Sequence, residues 1–244
     1  MAESVKRGPE RSSYPLIADH GLIGDLQTSA LVSTDGSIDW FCAPRFDSPS
    51  MFGALLDHRR GGHCTVHPAA DSVTRKQLYL PDTAVLVTRF LTDEGVGEVV
   101  DFMPALPGSV ATARHQIVRV LRCVRGQMTF DVEIAPRFDY GRARHEVEVN
   151  EWGAVFRAGD EAATVHIVRE PEDERLAKAG IDANGDLRAT LSLKAGQVRG
   201  MVLETGSSGP ARRMRRAEIE RLLETTVDFW KSWVARSTYT GRWR

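Results

Sequence analysis

The sequence predicts an all-β fold, a large antiparallel β-sandwich followed by a C-terminal helix, and three observations carry that expectation. Short segments in which apolar and polar residues alternate recur from about residue 28 to 204. Turn signals built on Gly, Asp and Asn separate them at regular spacing. After Ser207-Ser208-Gly209-Pro210 the apolar period lengthens from two residues to between three and four.

Residues 1–12 are polar, contain Gly8 and Pro9, and are expected to be a disordered leader ahead of a sandwich over 13–206. The clearest strand sets Met128, Phe130, Val132 and Ile134 against Thr129, Asp131 and Glu133, so that each group takes one face. Leu187, Ala189, Leu191 and Leu193 repeat the pattern, as do Val147 and Val149 between Glu146, Glu148 and Asn150. Further strands are expected at 28–33, 38–42, 62–67, 73–79, 84–92, 96–102, 114–124, 154–158, 163–169 and 198–204. The less cleanly alternating ones suit the middle of a packed pair of sheets. Asp35-Gly36, Asp93-Glu94-Gly95, Trp152-Gly153, Gly159-Asp160, Asn184-Gly185 and Ala195-Gly196 supply the turns. Many short strands at such spacing predict a sandwich or barrel rather than βαβ units.

A helix is expected over about 211–236, with Pro210 as its first residue. Ile219, Leu222, Leu223, Thr226, Phe229, Trp230 and Trp233 make its apolar stripe. That stripe either faces a domain absent from this chain or packs back on the sandwich, since large aromatics serve both. Arg212, Arg213, Arg215 and Arg216 cluster where the helix dipole disfavours cations. A solvated helix face explains them better than a phosphate or nucleic-acid site.

Hydrophobic residues make up 42% and charged residues 27% of the 244-residue chain, ordinary values for a globular protein. With 32 basic and 33 acidic residues there is no electrostatic pull toward nucleic acid or an acidic membrane. No stretch approaches the roughly 20 apolar residues that span a bilayer. Cys42, Cys64 and Cys123 are odd in number and hold no CxxC, so neither disulfides nor zinc is expected and a reduced cytoplasm fits. His58, His63 and His67 lie near Cys64, but the adjacent His63 and Cys64 point to opposite strand faces. No metal and no cofactor is expected, and no Gly-rich phosphate loop or Gly-x-Ser-x-Gly element occurs.

The most informative stretch is Gly24-Asp25-Leu26-Gln27-Thr28-Ser29-Ala30-Leu31-Val32, followed by Asp35-Gly36-Ser37-Ile38-Asp39-Trp40-Phe41-Cys42-Ala43-Pro44-Arg45-Phe46-Asp47-Ser48. Asp101-Phe102-Met103-Pro104, Pro136-Arg137-Phe138-Asp139-Tyr140-Gly141-Arg142 and Tyr239-Thr240-Gly241-Arg242-Trp243 follow in order. Together they resemble the opening domain of bacterial glycoside hydrolase family 15 proteins, the trehalase- and glucoamylase-like group. The resemblance implies a super-β-sandwich, a linker helix and the start of a helical catalytic domain at 207–244, and then a barrel of paired helices bearing two catalytic glutamates. This chain matches the first two parts. It implies a non-catalytic accessory domain whose partners are a helical-barrel catalytic domain in cis and an α-linked glucose sugar, with trehalose foremost. The alternative is a stand-alone carbohydrate-binding or protein-interaction domain of the same descent.

No catalytic residue is expected within the chain. Inverting glycosidases need two carboxyl groups roughly 6.5–9.5 Å apart. Asp19, Asp25, Asp35, Asp39 and Asp47 are candidates, but turn aspartates usually serve the backbone. Trp40, Arg45 and Asp47 are the substrate-binding candidates, because a flat aromatic face beside charged hydrogen-bonding groups suits sugar hydroxyls. The competing reading is that Arg45 and Asp47 pair with each other or brace the loop, the commoner use of such groups. The second Arg-Phe-Asp, at 137–139, invites the same two readings.

Overall fold

The computed structural model describes residues 14–105, 112, 114–168, 180–206 and 209–241. The leader at 1–12, the strand end at Arg169, Ser207 and Ser208 of the joint, and Arg242 and Trp243 of the last motif lie outside the described residues.

Fifteen strands occur among the described residues, all pairings being antiparallel. They are β1 (His20–Gly24), β2 (Ser29–Ser33), β3 (Ser37–Cys42), β4 (Ser50–Phe52), β5 (His63–Pro68), β6 (Thr74–Tyr79), β7 (Leu86–Leu91) and β8 (Gly95–Phe102). There follow β9 (Gln116–Ala135), β10 (Glu146–Asn150), β11 (Gly153–Ala158), β12 (Glu161–Val168), β13 (Gly180–Ile181), β14 (Leu187–Lys194) and β15 (Val198–Thr205).

The sandwich hangs on β9. Its first half lies between β8 and β15, and its second half between β5 and β14. One layer therefore holds β1 to β5, β13, β14 and the end of β9, and the other holds β6 to β8, β10 to β12, β15 and its start. The two strands expected at 114–124 and 128–134 are in fact this single strand. Residues 124–127 are exposed and break the alternation, but the backbone stays extended and bends at Gly126, whose φ is +70°. A Cβ there would stand 2.1 Å from the Glu94 carbonyl oxygen, so only glycine allows the crossing. The short β1, β4 and β13 were not legible, because two to five residues, with glycine in β1 and β13, show no alternation.

Period-two alternation assigns each side chain of the second layer to one of two cores. Inward, Ile117, Leu121, Val99, Met201 and Leu203 meet Val32, Ile38, Phe41, Val66 and Ile134 of the first layer. Phe90 and Phe130 close this contact edge to face, with centroids 6.3 Å apart. Outward, Val100, Phe102, Val118, Val120 and Val202 form a second cluster. The C-terminal helix, Arg216–Val234, lays Ile219, Leu222, Leu223 and Val227 on it.

The helix thus packs on its own sandwich through its first half. Its last turns stack Phe229, Trp230 and Trp233 edge to face at 5.3 and 5.9 Å. Trp230 is buried there, whereas Trp233 is 45% exposed. The helix begins at Arg216, not at Pro210 as the proline rule predicted. Residues 210–215 instead run across the ends of β10 and β12: Met214 bridges Val168, the Arg212 amide donates to His166 Nδ1 (3.1 Å), and Asn150 Nδ2 donates to Ala211 O (2.9 Å). Those bonds outcompete a further helical turn. Glu218 accepts from the Arg215 amide (2.8 Å) and from Arg212 Nη1 (3.0 Å), which places an anion among the arginines at the helix start.

Candidate functional site

β4 links the two Arg-Phe-Asp segments, following the first directly and docking on the second. The chain leaves β3 at Cys42, turns through 44–48 and returns as β4. Arg45 O accepts from the Ser48 amide and Ser48 Oγ from the Arg45 amide, both at 3.1 Å. Arg45 grips Asp47 with both forks, Nε to Oδ1 at 2.9 Å and Nη2 to Oδ2 at 2.5 Å. That bond holds the Asp47 carboxyl below the usual carboxylate range and raises the Arg45 guanidinium. The pair stays open to solvent, 72% and 69% exposed, with Phe46 between its members also exposed. Trp40 belongs to the strand and not to the turn. A bulge at Asp39 sets it opposite Leu31, on the face away from core residues Ile38 and Phe41.

β4 carries the chain to the second motif, where the Arg137 amide donates to Met51 O at 2.8 Å. Arg137 does not pair with Asp139. It forks onto buried Asp186, at 2.5 and 2.7 Å, and that bond raises the guanidinium pKa. Phe138 is buried in the inner core. Asp139, Tyr140 and Gly141 then adopt left-handed φ values of +50°, +56° and +78°. Asp139 Oδ1 accepts from Arg142 Nη2 at 2.6 Å, and that guanidinium lies 5.7 Å from the Tyr140 ring centroid.

Two cavities of about 200 Å³ each flank this turn. One is lined by Ser50, Gly53, Asp57, Arg60 and Tyr140 among others. The other is walled by Arg59, His63, Glu133, Arg137, Asp186 and Arg188. In the second, Arg188 donates to Glu133 (2.6 Å) and Asp182 (3.0 Å), and His63 Nε2 lies 3.6 Å from Glu133. The neighbouring His63 imidazole holds the Glu133 carboxyl down against the effect of burial, helped by the Arg188 charge.

A buried pair that motif reading passed over joins Asp25 to His115, Oδ2 to Nδ1 at 2.6 Å. Asp25 Oδ1 also accepts from the amides of Gln27 and Thr28, each at 3.0 Å. The local half of this arrangement is an aspartate turn, as the sequence suggests. The histidine lies 90 residues away, and nothing in the sequence links the two. Burial works to raise the Asp25 carboxyl, yet the His115 bond and the two amides hold it below its ordinary value. A depressed carboxyl stabilises the fold above the unfolded value of about 3.9, and this contribution disappears as pH falls through the lower folded value. Asp25→Asn is therefore expected to melt below the parent at neutral pH, with the gap closing below about pH 4. Melting temperatures of both proteins across the acid range check this, and a gap that stays constant with pH would contradict it.

Of the remaining candidate carboxylates, Asp19 ends the short 3-10 helix Ile17–Asp19, and Asp35 and Asp39 are engaged in side-chain hydrogen bonds. Asp35 accepts from Ser33 Oγ at 2.5 Å and from the Ser37 amide at 3.2 Å. Asp39 bonds Ser37 Oγ at 2.7 Å and His20 Nε2 at 3.3 Å. Among the described residues no group of three or more His, Cys, Asp and Glu could hold a metal ion, and no helix is long and apolar enough to cross a membrane.

Comparison with known proteins gives a consistent result. Residues 11–218 match the family described as "Trehalase-like, N-terminal". The chain is similar to the trehalase of Mycobacterium tuberculosis, with 30% identity over 243 residues, covering 93% of this chain and 35% of that protein. It is 31% identical over 241 residues to the trehalase of Mycolicibacterium smegmatis, covering 92% and 35% respectively. Trehalase 1 of Sulfolobus acidocaldarius is 39% identical over 136 residues, 56% of this chain and 22% of that protein. The chain spans about a third of the length of the first two of these relatives.

Proposed function

The chain belongs to the trehalase-like N-terminal family, and we propose that it is the non-catalytic accessory domain of a family 15 α-glucosidic hydrolase acting on trehalose. The observation that carries this reading is the extent of the match: nearly all of the chain aligns with about a third of trehalases. The engagement of Asp25, Asp35, Asp39 and Asp47 in turns and ion pairs also supports it, since none of the four is left as a poised acid or base. Inverting two-carboxylate chemistry belongs, in this reading, to a helical-barrel domain in cis. The exposed Trp233 beside buried Trp230 supports docking of that domain on the last turns of the helix. Three buried free thiols support a reduced, cytoplasmic setting. The isolated chain is expected to release no glucose from trehalose, maltose or starch, and release well above a buffer blank would overturn the assignment.

Within that enzyme the Trp40, Arg45 and Asp47 region forms part of the wall of the sugar pocket. The geometry supports this because the Arg45–Asp47 pair presents its polar edges to solvent. Contacts of this kind position a substrate without taking part in bond cleavage. Arg45→Ala or Asp47→Ala in the complete enzyme is expected to lower kcat/KM roughly ten- to a hundredfold. Melting temperature should barely move, because ion pairs this exposed contribute little to folding. Measuring both quantities on the same variants decides the matter: a fall in melting temperature with intact kinetics would mean that the pair only braces its turn.

A further inference from the structure

Apart from the Arg45–Asp47 turn, the cavity between the 53–62 loop and the left-handed turn carries features that the fold itself does not need. Ser50, on β4, lines it and is 1% exposed, yet its Oγ has no hydrogen-bond partner among the described residues. A buried hydroxyl without a partner opposes folding, so its retention calls for a ligand or a water. Tyr140 lines the same space in a left-handed conformation, with φ +56° and ψ +31°, directly after left-handed Asp139. That region is uncommon for any side chain and costly for a bulky one, and such residues cluster at ligand clamps.

The surroundings hold these two groups firmly. Gly53 N donates to Gly61 O at 2.6 Å, and a Cβ on Gly61 would stand 2.1 Å from Gly53 O. Gly141, with φ +78°, brings its backbone so close to the loop that a Cβ would meet Arg60 O at 2.7 Å. Loop and turn therefore touch backbone to backbone. Arg142, itself tied to Asp139, covers the Tyr140 ring and fixes its orientation. Asp57 and Arg60 add one anion and one cation to the rim, a balance that favours an uncharged ligand. At about 200 Å³ the space is smaller than the roughly 300–1,000 Å³ of sites for drug-sized ligands, and it suits a single ring.

We propose that this cavity is a binding subsite for one neutral hexopyranose ring, which stacks on Tyr140 and takes up the Ser50 hydroxyl. The choice of a sugar rests on the reading of the chain as part of a trehalose-cleaving enzyme; the site itself rests on these residues. The test is titration of the 244-residue chain with glucose and with trehalose, followed by amide chemical shifts in NMR. Saturable shifts at residues 50–62 and 138–142, with a Kd of about 1–10 mM, are expected. Ser50→Ala removes the orphan hydroxyl and Tyr140→Gly removes the left-handed side chain. Each variant is expected to bind roughly tenfold more weakly or worse. Each should nevertheless unfold at the parent temperature or up to about 2–4 °C above it. The pocket-wall reading is tested by the kinetics of Arg45 and Asp47 variants in the complete enzyme, and this one by sugar titration of Ser50 and Tyr140 variants, so failure of one is distinguishable from failure of the other. Absence of saturable shifts with both sugars would mean that water alone satisfies Ser50 and would overturn the proposal. Parental affinity in either folded variant would overturn it equally.

Discussion

Arg119→Ala is expected to destabilise the domain by about 3–5 kcal/mol, a large share of the roughly 5–15 kcal/mol that holds a typical domain folded. Arg119 lies in β9 directly opposite Asp101 of β8, and both point inward between the layers. It donates Nε to Asp101 Oδ1 at 2.8 Å and Nη2 to Oδ2 at 3.2 Å. Across the core it also donates to Cys64 O at 2.6 Å and Gly36 O at 2.7 Å, in the other layer. Burial alone would weaken the guanidinium charge, but the facing carboxylate raises its pKa above the ordinary arginine value. Without the guanidinium, Asp101 is a buried anion with no counter-charge, Cys64 O loses its bond to Arg119, and Gly36 O keeps only the Val66 amide. Replacing both partners, as in Arg119→Met with Asp101→Leu, removes the stranded charge but does not restore the bonds to the two carbonyls. Hydrogen bonds to a charged group contribute about 1.5–3 kcal/mol each, so the double variant should recover part of the loss and no more. Urea midpoints of the three proteins measure this, and an Arg119→Ala protein within about 1 kcal/mol of the parent would refute the role assigned to the pair.

Gly36→Ala is expected to cost about 3 kcal/mol, whereas Gly159→Ala should cost no more than about 1 kcal/mol. Both glycines occupy left-handed turns, at φ +89° and +60°. At Gly159 an added Cβ meets nothing within 4 Å. At Gly36 it would stand 2.0 Å from Val66 O and 3.1 Å from the Phe90 ring. The same residue offers its carbonyl to Arg119 and to the Val66 amide at 3.0 Å. Pushing the turn away from β5 therefore disturbs the ladder and the buried guanidinium together. Equal losses at the two positions, read from thermal or urea unfolding, would show that conformation alone matters.

The contrast between those glycines marks how far the residues could be read directly. Asp35-Gly36 and Gly159-Asp160 carry the same turn chemistry, and both turns exist. Which of them is crowded depends on β5, some 30 residues further along, and no local pattern encodes that neighbour. At the candidate site the Arg45–Asp47 pair was legible, because two residues apart in a turn is a local relation. In its analogue at 137–139 the mutual pair does not form, because Arg137 finds Asp186, 49 residues away. The cavity was invisible for the same reason: Ser50, Arg60 and Tyr140 come together only when β4 docks on the second motif.

The all-β class, most strand positions, the turns and the amphipathic helix were readable from the order of residues alone. Alternation, turn residues and helical period act through contacts a few residues apart, and they specify which face a side chain takes. Long-range packing made 116–135 one strand serving two layers, laid 210–215 across the strand ends instead of in the helix, and paired Asp25 with His115. These features rest on pairings across the chain, where a one-residue slip in register would change every partner.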